Sequence, residues 1–128
     1  MTAPLSIGLL GVEHYHANFW TKAFQQSEGV TVAGVYDPAP GAAARFAAQY
    51  GLEVASDPDA LAAACDAVAI CGATADHLAM VEVAARHGRP ILCEKPIAMR
   101  WEDVAAIRSV VEAAGVPFMQ SFPQRFDP

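Results

Sequence analysis

Basic residues are scarce. Eight Lys and Arg stand against fourteen Asp and Glu in 128 residues, a formal charge of −6. Nucleic acids and anionic membrane surfaces are held by clustered cations, so neither is expected as a partner. Long apolar runs are missing as well. No stretch approaches the roughly 20 apolar residues that cross a bilayer. The opening MTAPLSIGLLG carries no positive leader ahead of its apolar stretch, and a cytoplasmic location is the expectation. Cysteine is limited to Cys65, Cys71 and Cys93, an odd number without CxxC spacing, in or beside apolar segments. Reduced cysteine behaves there as a small hydrophobe, which argues against a disulfide framework. Solenoid repeats and low-complexity segments are also lacking.

What remains is apolar and rich in alanine, with 54% hydrophobic and 17% charged residues. That suits a single compact α/β domain whose sheet is covered on both faces. Short β-branched runs alternate with helical patterns. Strands are expected at Leu5 to Leu10, Val30 to Tyr36, Leu52 to Ala55, Asp66 to Cys71, Pro90 to Glu94 and Val116 to Ser121. The intervening helices are expected at Tyr15 to Ser27, with Phe19, Trp20, Ala23 and Phe24 on one face, and at Ala42 to Tyr50, stopped by Gly51. A short helix opens at Asp57-Pro58-Asp59, where a capping carboxylate precedes a proline at the first helical position. Two more run from Asp76 to His87 and from Trp101 to Ala114. The last has Glu102 and Asp103 in its first turn, Val104, Ile107 and Val111 on one stripe, and Gly115 and Pro117 past its end. Six strands with helical crossovers predict an α/β Rossmann fold, a doubly wound parallel sheet of order 3-2-1-4-5-6 with helices on both faces. Residues 1–121 are assigned to that domain, and residues 122–128 to the start of a connection toward a further domain.

In such sheets ligands sit outside the carboxyl ends of the strands, where the strand order reverses. That selects Gly11 to His16, Asp37, Gly72 to His77 and Glu94 to Pro96. The first loop opens a helix, whose free amides and positive dipole end attract a pyrophosphate. Gly11 allows the tight turn, but Glu13 and His16 occupy the second and third glycine positions of GxGxxG, a weak match to that fingerprint. Asp37 ends the second strand 26 residues after Gly11, where about 20 is typical for the acidic residue that accepts from adenosine ribose hydroxyls. Its charge opposes a 2′-phosphate and favours NAD over NADP. Lys95, after a buried strand and before Pro96, can hydrogen-bond a substrate hydroxyl and assist proton removal as hydride leaves. An Asp-Pro turn and a solvated lysine are the plainer readings of the same residues.

The segments Ile7-Gly8-Leu9-Leu10-Gly11, Val35-Tyr36-Asp37-Pro38, Asp66-Ala67-Val68-Ala69-Ile70, His77, and Gly88 through Ala98 with its Glu94-Lys95-Pro96 resemble the Gfo/Idh/MocA oxidoreductases. The likeness runs through the closing Arg125-Phe126-Asp127-Pro128. It implies a catalytic Lys95, a Glu94 beside the nicotinamide ribose, and an Arg125 near the start of a substrate domain. The cofactor-binding set it implies is Gly11, Val12, Glu13, His14, His16, Asp37, Cys71, Gly72, Thr74, His77, Glu94, Lys95 and Pro96. The implied reaction moves hydride between NAD and a hydroxyl or carbonyl carbon of a sugar, polyol or related small molecule, and the complete enzyme is expected to self-associate. Departures fall at Glu13, at His16 and at Ala75, where proline is common, although one branch carries a similar His-x-His to His14-Tyr15-His16. The family's acid-base aspartate and histidine come from a second domain, so catalysis by these 128 residues alone is not expected.

Two rivals remain. One is a non-catalytic dinucleotide sensor on the same fold. The other is a zinc site drawn from His14, His16, Cys71, His77 and Cys93; no compact ligand pair supports it, and no metal is expected.

Overall fold

A computed structural model describes residues 2–127. β1 (Leu5–Leu10) leads through α1 (His16–Gln26) to β2 (Val30–Tyr36) and α2 (Ala42–Tyr50). α3 (Pro58–Ala64), β3 (Ala67–Ile70), α4 (His77–Arg86), β4 (Ile91–Cys93), α5 (Trp101–Ala114) and β5 (Phe118–Gln120) follow. All strand pairs are parallel, in the order β2-β1-β3-β4-β5.

The sheet therefore has five strands where the sequence pattern suggested six. The expected strand at Leu52 to Ala55 is reduced to one bridge, Val35 to Val54. Its place at the outer edge of β2 is the one expected for a third strand. Only Val35 pairs with it, donating to the Glu53 carbonyl and accepting from the Ala55 amide. Asp57, whose side chain accepts from the Asp59 amide at 3.1 Å, turns the chain into α3 directly afterward and leaves no room for a longer ladder.

Side chains alternate across the sheet. Leu10, Val68, Ile70, Ile91 and Cys93 pack against Leu61, Val81 and Ile107 of α3, α4 and α5. On the other face Ile7, Leu9, Val35, Ala69 and Cys71 meet Ala17 of α1 and Ala43 and Phe46 of α2. Leu9, Leu10 and Ile70 are fully buried, each stabilising the fold by roughly 2 kcal/mol through removal from water. Arg89 ties the end of α3 to the strand beyond it, donating to the Ala62 and Ala63 carbonyls at 2.8 and 2.9 Å.

One helix face differs from its expected pattern. In α1 the buried residues are Ala17 and Thr21, with Trp20 and Phe24 half-buried beside them, whereas Phe19 and Ala23 are exposed. The spacing had put Phe19 on one face with Trp20, Ala23 and Phe24. α1 meets the sheet along its narrower Ala17, Thr21, Phe24 line, and the aromatic ring is left on the flank facing the loop after β4.

Candidate functional site

The turns after β1 and β3 are packed backbone to backbone. Gly11 has φ of +89°, and a Cβ there would lie 2.6 Å from Gly72 Cα. Its amide donates to the Tyr36 carbonyl at 2.7 Å, and its carbonyl accepts from the Cys71 amide at 3.2 Å. The His14 amide then donates to the Cys71 carbonyl at 2.9 Å. Cys71 thus enters the site through its backbone, while its side chain lies in the core.

Asp37 closes the β2 side of this turn. Its Oδ2 accepts from the Val12 amide at 2.8 Å, its Oδ1 from the Ala39 amide at 2.8 Å, and it is 9% exposed. Each carboxylate oxygen has two acceptor directions, so both oxygens retain capacity for a ribose hydroxyl. The N-cap residue Tyr15 makes no side-chain capping bond, and the His16 amide at the start of α1 donates to His14 Nδ1 at 3.1 Å, so a ligand anion at this helix end meets the dipole more than free amides. Glu13 is exposed, so its carboxylate does not fill the turn. The acidic end of β2, the start of α1 and the glycine-tight turn fit the adenosine and pyrophosphate portions of a dinucleotide.

The opposite flank is built around Glu94, which is 1% exposed at the end of β4. An unpaired buried carboxylate would be strongly destabilising. His16 Nδ1 lies 2.9 Å from Oε1, Trp20 Nε1 donates to Oε2 at 2.9 Å, and the Lys95 amide donates to Oε1 at 3.2 Å. Burial pushes the Glu94 carboxyl up, but the hydrogen bonds from His16, Trp20 and the Lys95 amide outweigh it and hold it below the usual carboxylate range. His14, 4.6 Å from His16 between ring centroids, is drawn below the ordinary imidazole value by burial, against the pull of Glu94 and with the help of His16 and Lys95. Lys95 is exposed and lines a cavity of about 570 Å³ with Tyr15, His16, Phe19, Trp20 and Phe122.

The other expected site residues fall as follows. Thr74 stands half-buried in the single helical turn before α4. His77 is 1% exposed; its Nδ1 lies 2.9 Å from the Ile97 carbonyl and 3.5 Å from Cys93 Sγ, which ties α4 to the loop carrying Pro96. Pro96 is exposed beside Lys95. Arg125 is exposed in the turn Pro123–Phe126, its guanidinium 5.7 Å from the Phe122 ring centre and next to the cavity-lining Gln124. Pro128, the last residue of the expected connection, lies outside the described residues.

Burial pushes the Cys93 thiol up to about 12, with Glu94 adding to the effect, and raises Cys71 further still. Thiolate ligation by these two is thus opposed by their surroundings. Among the described residues, the group whose donor atoms come within 4.8 Å of one another is His14, His16 and Glu94, not the five residues the sequence offered. A direct consequence concerns reactivity. Native protein at mildly alkaline pH is expected to leave Cys71 and Cys93 unmodified by iodoacetamide for hours, as read by peptide mass, with modification appearing on unfolding; rapid native labelling of Cys93 would contradict this burial.

Trp20 is the residue contacting Glu94 that sequence reasoning did not place in the site. Its helical spacing marked it as core, and nothing local announces an indole N–H aimed at a carboxylate 74 residues away.

A parallel sheet with a glycine turn at its crossover, an acidic residue on one side and Glu-Lys-Pro on the other defines a dinucleotide-binding Rossmann domain of the oxidoreductase type. Residues 5–122 match the family model described as oxidoreductase family, NAD-binding Rossmann fold. This chain belongs to that family, the Gfo/Idh/MocA oxidoreductases. It is 39% identical over 125 residues to inositol 2-dehydrogenase of Rhizobium meliloti strain 1021, covering 94% of this chain and 37% of the relative. It is 35% identical over 135 residues to the scyllo-inositol 2-dehydrogenase (NAD(+)) of Bacillus subtilis strain 168, covering 98% and 36%. An Agrobacterium radiobacter oxidoreductase solved with NAD+, L-tartaric acid and magnesium superposes with a TM-score of 0.80 at 30% identity, over 92% of this chain and 35% of that one. The chain therefore spans little more than a third of the length of these relatives. None of its helices is long and apolar enough to cross a membrane, among the described residues.

Proposed function

We propose that the crevice holds NAD with adenosine toward Asp37 and nicotinamide toward Glu94 and Lys95, and that the site serves hydride transfer with a polyol or sugar-like alcohol. The observation that carries this reading is the placement of Asp37 and the Glu94-Lys95 pair at the carboxyl ends of β2 and β4, on either side of the β1 and β3 turns. NAD supplies the hydride acceptor when bound. The protein's part is to seat the pyrophosphate at the start of α1, to bind the adenosine ribose through Asp37, and to present the Lys95 ammonium to a hydroxyl in the adjoining cavity. Residues from 122 onward are read as the beginning of a connection to a substrate domain, and the protein as cytoplasmic. The inositol dehydrogenases among its relatives support a polyol as the substrate class.

Calorimetry tests the cofactor reading directly. NAD and NADH are expected to give saturable heats, and NADP and NADPH weaker ones; no heat from any of the four forms would remove the proposal. Lys95→Ala is expected to change NAD affinity by less than about threefold, since an exposed side chain contributes little to cofactor binding. The same substitution should depress polyol oxidation by about 100-fold or more in protein that turns over, the usual scale for loss of a proton-transfer group.

A further inference from the structure

We propose that His16 is a hydroxyl-binding residue, an imidazole backed by the Glu94 carboxylate whose outer nitrogen Nε2 accepts a hydrogen bond from an alcohol on the Lys95 flank of the crevice. The inference rests on the reading that this flank faces the nicotinamide riboside and the alcohol substrate.

Three observations converge. Glu94 is buried and accepts from Trp20 Nε1 on its other oxygen, so its carboxylate cannot rotate without stranding the indole donor. An ionised carboxylate only accepts hydrogen bonds, so the contact of 2.9 Å places the proton on His16 Nδ1. In the neutral ring that leaves the lone pair on Nε2.

The ring is also held in place. The His16 amide donates to His14 Nδ1 at 3.1 Å, and Phe19 meets the ring edge-on with centroids 5.7 Å apart. Yet the side chain is 20% exposed and lines the same cavity as Lys95. No partner for Nε2 occurs among the described residues. A carboxylate behind the first nitrogen fixes the tautomer and strengthens the second as an acceptor. Glu94 and His14 are the titratable groups against the ring, Tyr15 lies 4.7 Å away between ring centres, and Lys95 lines the same cavity. His16 occupies the third glycine position of the dinucleotide turn, so the side chain that breaks the fingerprint also adds an acceptor that glycine lacks.

Two sources can supply the hydroxyl, the nicotinamide ribose or an alcohol substrate, and one experiment separates them. Nitrogen NMR of 15N-histidine-labelled protein above neutral pH, with His16 assigned by the loss of its signals in the variants, should show a protonated Nδ1 and an unprotonated Nε2. The opposite tautomer overturns the proposal whatever the protein binds. Calorimetry then compares wild type with His16→Asn and His16→Gln. The asparagine amide reaches the Nδ1 position and can still donate to Glu94, but it has no atom at Nε2; the glutamine amide reaches the outer position.

If the ribose is the donor, His16→Asn weakens NADH binding about tenfold, the usual scale for one lost hydrogen bond in a site, and His16→Gln recovers part of it. If the alcohol is the donor, NADH binds all three proteins within about threefold, and the heat of myo-inositol on the NADH-loaded protein is lost in His16→Asn alone. Wild-type behaviour of His16→Asn in both arms overturns the proposal. Silence of wild-type protein toward NADH instead overturns the dinucleotide reading, and the nitrogen spectrum still decides the state of the ring.

Discussion

Gly11→Ala is expected to lower stability by about 3 kcal/mol or more and to abolish measurable NAD binding. Two costs combine. A left-handed backbone costs an L-residue about 1–2 kcal/mol, and the new Cβ would stand 2.6 Å from Gly72 Cα and 2.8 Å from the Gly72 amide nitrogen. Backbone cannot swing aside as a side-chain tip can, so the turns after β1 and β3 must separate, at the cost typical of an overpacked core, about 1–3 kcal/mol. Separation strains the Cys71 amide to Gly11 carbonyl bond and displaces the start of α1 from its place over the crevice. Gly29→Ala is the internal control. Gly29 has φ of +76° with nothing within 4 Å of a built Cβ, so it should show the conformational cost alone, about 1 kcal/mol. Denaturant unfolding of both variants checks the comparison; equal losses would mean that the close approach of Gly11 and Gly72 carries no weight.

The second large effect is expected at Asp37. Asp37→Ala removes the acceptor for the Val12 and Ala39 amides and should reduce stability by about 2–3 kcal/mol, since hydrogen bonds to a charged group contribute about 1.5–3 kcal/mol each and water replaces part of the loss. NAD affinity should fall about 10- to 100-fold on the same scale, and the preference for NAD over NADP should shrink because the carboxylate no longer repels a 2′-phosphate. Asp37→Asn keeps an acceptor oxygen for one amide without the charge. It should recover much of the stability while still relaxing the preference. Measured side by side, the two variants separate turn support from cofactor choice. An unchanged NAD to NADP ratio in Asp37→Asn would confine Asp37 to the turn.

Both predictions concern residues visible in the sequence, but neither role was fully visible there. Asp37 was read as a ribose acceptor from its place at a strand end. That it also pins the Val12 amide depends on how close β1 and β2 come at their carboxyl ends. Gly11 was read as a turn glycine, whereas its tightest constraint comes from Gly72, in the turn after a strand that enters the sheet about sixty residues later. The helices at 42–50 and 101–114 were legible to the residue because Gly51 and Gly115 mark their ends locally. The edge strand at 52–55 was not, because strand length depends on the partner and β2 offers it a single residue. Phe19 was misjudged because periodicity gives the angle of a helix face but not which of two adjacent angles meets the sheet.

By itself the sequence determined the alternation of strands and helices, the family, the NAD-type crevice and the candidacy of Asp37, Glu94 and Lys95. All of these rest on short-range patterns: apolar spacing, caps, glycines and a contiguous Glu-Lys-Pro. Only the tertiary structure decided that Trp20 and His16 converge on Glu94, that Cys71 acts through its backbone, and that His77 is packed beneath the site and not open to it. Those facts depend on where α1 lies against the loop after β4. That placement is set by packing between segments more than 70 residues apart, and no local pattern encodes it.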